Sequence, residues 1–259
     1  MQDPCPICGD SGLRIIEQPN GQRFAQPCSC RIERRAARQL EQARIPRRYE
    51  LCSLDSYETL HKTATPSLSQ AHRIARKFAD GYPVETAGKG LLFTGSSGLG
   101  KTHLAVSILK SLIADRGATG VFWEHKELLD HLRAIYSLRT AGAEDKLLKS
   151  VTTCDLLVLD DLGDITPSDW SWDTTSYILN SRYNENRSTI ITTNLDNEPR
   201  AATNSDPNDR FAEARRASTR ETLSDRIGER MRSRLQEMCV VVEMQGEDFR
   251  QRVKRASFA

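Results

Sequence analysis

From Gly90 onward, short apolar runs alternate with longer stretches in which apolar positions recur every three or four residues. This predicts strands and helices taking turns, the pattern of a parallel α/β sheet covered on both faces. Strands are expected at residues 91–94, 120–123, 156–160, 188–193 and 239–243, each a β-branched or leucine-rich run suited to burial on both sides. Helices are expected at residues 101–115, 126–139, 170–184 and 219–236.

The first third has a different texture. Residues 1–30 are rich in Cys, Pro and Gly and show little periodicity. A basic helix follows over residues 31–44, then a break at Pro46, a polar loop and a second amphipathic helix over residues 68–79. The expected division is therefore a module of residues 1–30, a connecting segment of residues 31–88 and a main domain of residues 89–259. Residues 195–218 form a long polar connection rich in Asn, Asp, Pro and Arg.

At 259 residues the chain suits one α/β domain with a small appendage, large enough to need no disulfides for stability. Its 37 basic and 35 acidic residues leave a net charge of +2, so overall charge favours neither nucleic acid nor membrane. Basic residues do concentrate in residues 31–48 and 210–234, although such runs also describe a solvated helix face. The start MQDPCPICGD has no apolar leader, and no apolar run reaches the roughly 18 residues of a membrane span. A cytoplasmic protein with no membrane partner is expected.

The segment GSSGLGKT, Gly95 to Thr102, carries the most specific chemistry. It satisfies the P-loop pattern between an expected strand and an expected helix. Gly95, Gly98 and Gly100 let the backbone turn tightly around Ser96, Ser97 and Leu99, so that N–H groups face phosphate oxygens. The helix N-terminus adds unpaired donors. Lys101 supplies a charge between the β- and γ-phosphates of ATP, and the Thr102 hydroxyl a Mg²⁺ ligand. His103 adjoins this nucleotide-binding set, where packing or a supporting contact suits it better than catalysis.

LLVLDD then ends in Asp160, placed to hold Mg²⁺, and Asp161, placed to orient the attacking water. Two adjacent carboxylates at the end of a buried strand repel each other unless a cation lies nearby. STIITTN ends in Asn194, which can reach the water or the γ-phosphate, though a strand-end Asn also starts turns. In the helix expected around SDRIGERMRSRL, Arg226 and Arg230 are four apart and share a face. One of them could act on a neighbouring subunit's nucleotide, the alternative being surface ion pairs. Arg250 is a candidate for reaching the nucleotide in its own chain.

Cys5, Cys8, Cys28 and Cys30 form a CxxC and CxC set with nineteen residues between the pairs, which suits structural, tetrahedral Zn²⁺. Cys52, Cys154 and Cys239 stand alone, as buried thiols do. The histidines form no metal-spaced pair. Trp123, Trp170 and Trp172 could stack bases but suit packing better. Lys126, Arg133, Arg139, Lys146 and Lys149 form either a phosphate-binding stripe or a solvated face.

Together, IPRRYELCSLDSY, GSSGLGKTHLA, LLVLDDLG, TIITTN and SDRIGERM resemble an AAA+ ATPase of the bacterial helicase-loader group typified by DnaC and DnaI, and the related IstB transposition helpers. The resemblance implies a P-loop NTPase fold of α/β class: a five-stranded parallel sheet flanked by helices, a reduced lid and a small N-terminal zinc module. It implies an adenine pocket lined by residues 45–57, Walker B acids at Asp160 and Asp161, sensor 1 at Asn194 and sensor 2 at Arg250. It further implies an arginine finger at Arg230 with Arg226 beside it, and an insertion over residues 126–150 facing single-stranded DNA. Asp161 departs from the glutamate usual in AAA+ proteins, which suits a switch better than a motor. The implied activity is ATP hydrolysis controlling a replicative helicase on single-stranded DNA, with a homo-oligomer in the ATP state. A duplex-binding transposition helper and a nucleotide-gated binder without turnover are the alternatives.

Overall fold

In a computed structural model, the protein is described over residues 4–57, 65–138, 142–197 and 221–252. The chain begins with a two-stranded antiparallel hairpin, β1 (Leu13–Glu17) and β2 (Arg23–Pro27), followed by α1 (Ser29–Gln42). A 3-10 turn at Arg47–Tyr49 leads toward α2 (Pro66–Gly81). The α2 helix starts where Thr65 accepts a hydrogen bond from the Leu68 N–H and Pro66 occupies the first turn.

The main sheet contains β3 (Gly90–Thr94), β4 (Gly120–Glu124), β5 (Leu156–Asp160), β6 (Ser188–Thr193) and β7 (Cys239–Glu243). These are the five strands expected from the apolar runs. All pair in parallel, in the order β4-β5-β6-β3-β7. Burial on both faces explains their continuous hydrophobicity: Leu91 and Phe93 of β3 enter one core and Leu92 the other.

On one face lie α1, α2 and α3 (Lys101–Arg116). On the other lie α4 (His125–Leu138), α5 (Ala143–Thr153), α6 (Asp169–Asn184), α7 (Leu223–Ile227) and α8 (Glu229–Met238). Ser168 caps α6 through a reciprocal capping box with Ser171. Arg182 of α6 is fully buried and donates to the carbonyls of Val151 and Cys154 at 2.9 Å each and of Ser188 at 2.6 Å. It thereby ties the end of α5 to the start of β6. After β7 a short α9 (Phe249–Arg252) follows.

The helix expected over residues 219–236 is two helices. Gly228 breaks it with φ 78° and ψ 149°, and a Cβ there would lie 2.4 Å from the Trp172 ring. Arg226 and Arg230 therefore stand on separate helices and do not share a helix face. The basic helix begins at Ser29, so Cys30 lies within its first turn. Of the helical material between β4 and β5, residues 139–141 lie outside the described residues, and so does the expected phosphate-stripe member Arg139. Most of the long polar connection (198–218) lies outside them too, as do residues 219–220.

Candidate functional site

The end of β3 and the start of α3 enclose the Gly95 to Thr102 loop. Gly100 caps α3 at φ 87°, a left-handed conformation, and a Cβ there would lie 2.6 Å from the Tyr57 ring. The loop is fastened on several sides. Tyr57 donates to the Leu99 carbonyl at 2.9 Å. The Phe249 N–H donates to the Gly98 carbonyl at 3.2 Å, and the Met244 N–H to the Thr94 carbonyl at 2.8 Å, so the segment after β7 lies against the loop.

Lys101 is 5% exposed and its Nζ donates to the carbonyls of Gly95 and Ser96 at 2.7 Å each and to Asn194 Oδ1 at 2.9 Å. Ser97 Oγ reaches the same Asn194 oxygen at 3.4 Å. Burial lowers the Lys101 ammonium to about 8 against the opposing pull of Asp161 and Asp160. A lysine in this state gains from a new anionic partner.

Asp160 ends β5 and is 1% exposed. Its Oδ1 accepts hydrogen bonds from Thr102 Oγ1 at 2.8 Å and Thr192 Oγ1 at 2.6 Å. Burial raises its carboxyl to about 6, with the charge of Asp161 adding to the rise and the two hydroxyl donors opposing it. Asp161 has φ 53° and accepts from Asn194 Nδ2 at 3.2 Å. Burial raises its carboxyl too, while Lys101, Arg250 and Arg48 pull it down. A buried and a half-buried acid, both pushed upward by burial, beside a lysine that burial pushes downward, form an electrostatically incomplete set. A divalent cation with a polyphosphate completes it: the cation relieves the acids, and the phosphates relieve the lysine.

The structure thus brings Lys101, Thr102, Asp160, Asp161 and Asn194 together. Arg250 is exposed, and its charge acts on Lys101, Asp161 and Tyr49. Arg226 faces inward within its own chain: it pairs with Glu221 and donates through Nη1 to the Ile165 carbonyl at 3.0 Å. Arg230 is exposed in a groove lined by Trp172, Ser176 and Asn180 of α6 and by Arg234 of α8. His103 turns its ring to the strap at residues 52–56, with Nδ1 3.3 Å from Cys52 Sγ and Nε2 3.1 Å from Ser56 Oγ.

Three contributors escape a reading of the motifs alone. Thr192 touches both acids, and its position two residues before Asn194 on one strand face was the available signal. Tyr49 stands beside Thr102, and Arg48 adds a positive charge near the acid pair. Both belong to the segment that resemblance assigns to the adenine pocket, but neither stands out by residue type. Among the tryptophans, Trp123 is buried beneath Arg44, whose guanidinium lies 3.6 Å from the ring centroid, and it packs edge-on against His131.

The four N-terminal cysteines converge as one cluster, all sulfurs within 4.8 Å of one another. Cys5 and Cys28 sulfurs lie 3.9 Å apart, Cys8 and Cys30 sulfurs 3.4 Å. Four thiolates around Zn²⁺ at bonds of ~2.3 Å stand about 3.8 Å apart, so the cluster fits that ion. Burial raises the Cys8 thiol, but hydrogen bonds from Cys30 and its other neighbours outweigh this and lower it to about 6. Cys30, donating to Cys8 and itself buried, rises to about 12. Cys52, Cys154 and Cys239 are buried single thiols. Among the described residues, no helix is long and apolar enough to cross a membrane.

Comparison with known proteins agrees with this geometry. The family model described as IstB-like ATP binding protein matches residues 23–257. The replicative helicase loader DnaC of Buchnera aphidicola subsp. Acyrthosiphon pisum is 28% identical over 150 residues, 58% of this chain and 58% of that protein. The match thus spans somewhat over half the length of that curated relative. A crystal structure of the DnaC helicase loader is similar with a TM-score of 0.60 and 34% identity, over 77% of this chain and 100% of that one. A DnaI crystal structure, 24% identical, shares the fold with a TM-score of 0.56 over 82% of this chain and 98% of that one.

Proposed function

The chain belongs to the family of IstB-like ATP-binding proteins, AAA+ P-loop proteins related to the DnaC and DnaI loaders, and from that premise we propose that it hydrolyses ATP to control the loading of a replicative helicase onto single-stranded DNA. The observation that carries the ATPase reading is the joining of Lys101 and Asn194, 93 residues apart, with Thr102, Asp160 and Asp161 in one hydrogen-bonded set.

In this reading the loop from Gly95 to Thr102 binds the triphosphate, and Lys101 exchanges its carbonyl partners for phosphate oxygens. Thr102 and Asp160 hold Mg²⁺, which when bound neutralises charge on the phosphates. Asp161 orients the attacking water, with Asn194 steadying the carboxylate. Arg230 acts on the nucleotide of a neighbouring subunit in a homo-oligomer, Arg226 supports that contact from α7, held by the Ile165 carbonyl, and Arg250 acts in its own chain. His103 supports the nucleotide pocket through the strap it binds. Cys5, Cys8, Cys28 and Cys30 hold structural Zn²⁺ in residues 1–30. That module and α1 contact the helicase, residues 31–88 lead into the nucleotide pocket, and residues 89–259 form the ATPase domain.

The loader reading rests on the 34% identity to a DnaC structure and on the cysteine cluster. It is tested by co-purification of the full chain with the replicative helicase of the same cell. Retention of the helicase that weakens after ATP hydrolysis supports it, and no association in any nucleotide state rejects it. The family match favours a second reading, a transposition helper on duplex DNA. Tighter binding of duplex than of single strands would select it. The short arm of Asp161 motivates a nucleotide-gated binder without turnover, which measurable phosphate release would eliminate.

A further inference from the structure

Thr192 occupies a strand position with no solvent exposure, where valine would match its shape and its preference for extended backbone. A buried hydroxyl is costly unless its hydrogen-bonding capacity is used. Here it is used twice. The Asp161 N–H donates to Thr192 Oγ1 at 3.0 Å, and Thr192 Oγ1 lies 2.6 Å from Asp160 Oδ1. An N–H can only donate, so the single hydroxyl hydrogen is committed to Asp160. The direction of both bonds is fixed.

One side chain therefore sets two neighbouring groups. It holds the Asp160 carboxylate on the oxygen that also accepts from Thr102. It also anchors the backbone of Asp161, a non-glycine residue at φ 53° that needs such support. Leu162 is secured by the same residue, its N–H donating to the Thr192 carbonyl at 2.8 Å. Among the described residues, two hydroxyl donors occupy Asp160 Oδ1 and leave Oδ2 as the oxygen offered to a cation.

We infer that Thr192 is a positioning residue that aligns the Mg²⁺-holding and water-orienting carboxylates; the inference rests on the ATPase reading above. Its loss acts on the metal-dependent part of nucleotide binding, not on the contacts of the phosphate loop.

The test compares wild type, Thr192→Val and Thr192→Ser for affinity toward a fluorescent ATP analogue, in EDTA and across a Mg²⁺ titration, with melting temperature measured alongside. Thr192→Val should bind the analogue in EDTA as wild type does, but need about tenfold more Mg²⁺ for half-maximal enhancement. Thr192→Ser should restore the wild-type requirement. If Thr192→Val does not fold, Thr192→Ala carries the same comparison. A purely structural Thr192 would lower the melting temperature and leave the Mg²⁺ requirement of the folded protein unmoved, which overturns the inference. Serine behaving like valine overturns it too. Failure of the wild type to bind the analogue under any condition rejects the ATPase reading itself, a separate outcome.

Discussion

Thr102 Oγ1 donates to Asp160 Oδ1 across 2.8 Å, although 58 residues separate them in the chain. The contact joins the first turn of the helix after β3 to the end of β5, with β6 between those strands in the sheet. It fixes where a cation can stand: beside a hydroxyl and a carboxylate, with Lys101 and Asn194 across from them.

The burial of Asp160, which the proposed function assigns to Mg²⁺, comes at the expense of stability. Its folded value of about 6 lies above the ordinary 3.8, so between those values the folded protein retains a proton that the unfolded chain releases. The stability this group contributes is full below 3.8 and is lost as pH rises through about 6. Without nucleotide or Mg²⁺ at pH 7.5, Asp160→Asn should therefore melt roughly 5 °C above wild type. The same variant should lose Mg²⁺-dependent turnover. Thermal melting and phosphate release check the two halves separately.

Arg226 and Arg230 should separate, because Gly228 puts them on different helices. Arg230→Ala should spare ATP binding and reduce turnover by about 10³-fold, the lower end for an arginine acting from a neighbour. Mixed with Lys101→Ala subunits it should regain activity, since an intact arginine then faces an intact pocket. No recovery in the mixture would place Arg230 outside the reaction. Arg226→Ala removes the contact to the Ile165 carbonyl and should also destabilise the isolated subunit.

His125 gives a signed pH dependence. Its Nε2 lies 2.9 Å from Thr175 Oγ1, whose hydrogen is committed to the Ser171 carbonyl at 2.7 Å, so Nε2 carries the ring proton. Among the described residues, Nδ1 is left buried and without a hydrogen-bond partner. Burial lowers the imidazole from 6.5 to about 4. Its contribution is present above 6.5 and is lost as pH falls toward about 4. The full effect is about 3 kcal/mol. Urea midpoints between pH 7.5 and pH 4 should fall more steeply for wild type than for His125→Gln, and equal slopes would refute this assignment.

The cysteine module should depend on metal while the ATPase domain does not. Purified protein should carry one Zn²⁺ per chain, and Cys8→Ser should lose it. Chelation should expose β1, β2 and the start of α1 to protease, since so small a segment has no core of its own. ATP affinity should remain. Protease resistance unchanged by chelation would show that the hairpin stands without metal.

Much of this was legible in the sequence for identifiable reasons. The five strands are buried on both faces, so their apolar runs had few other interpretations. The loop from Gly95 to Thr102 and the acids at Asp160 and Asp161 declare themselves because their chemistry restricts residue type at fixed spacing. What escaped obeys no such restriction. Gly228 sits within a helical pattern, and the distant Trp172 that leaves no room for a Cβ there is not visible from the local sequence. Thr192 is as good a strand residue as its neighbours, so TIITTN reads the same whether or not its hydroxyl has a task. Arg226 is distinguished from Arg230 by its contacts to Glu221 and to the distant Ile165 carbonyl, which residue type does not announce.

The most direct test of the central claim is calorimetric titration of the full chain with MgATP, beside Lys101→Ala. One site per chain is expected in the wild type, weakened strongly when Mg²⁺ is withheld, with no measurable heat of binding in Lys101→Ala. A wild type that binds no ATP, or a variant that binds it equally well, would contradict the placement of the triphosphate between Lys101 and Asp160.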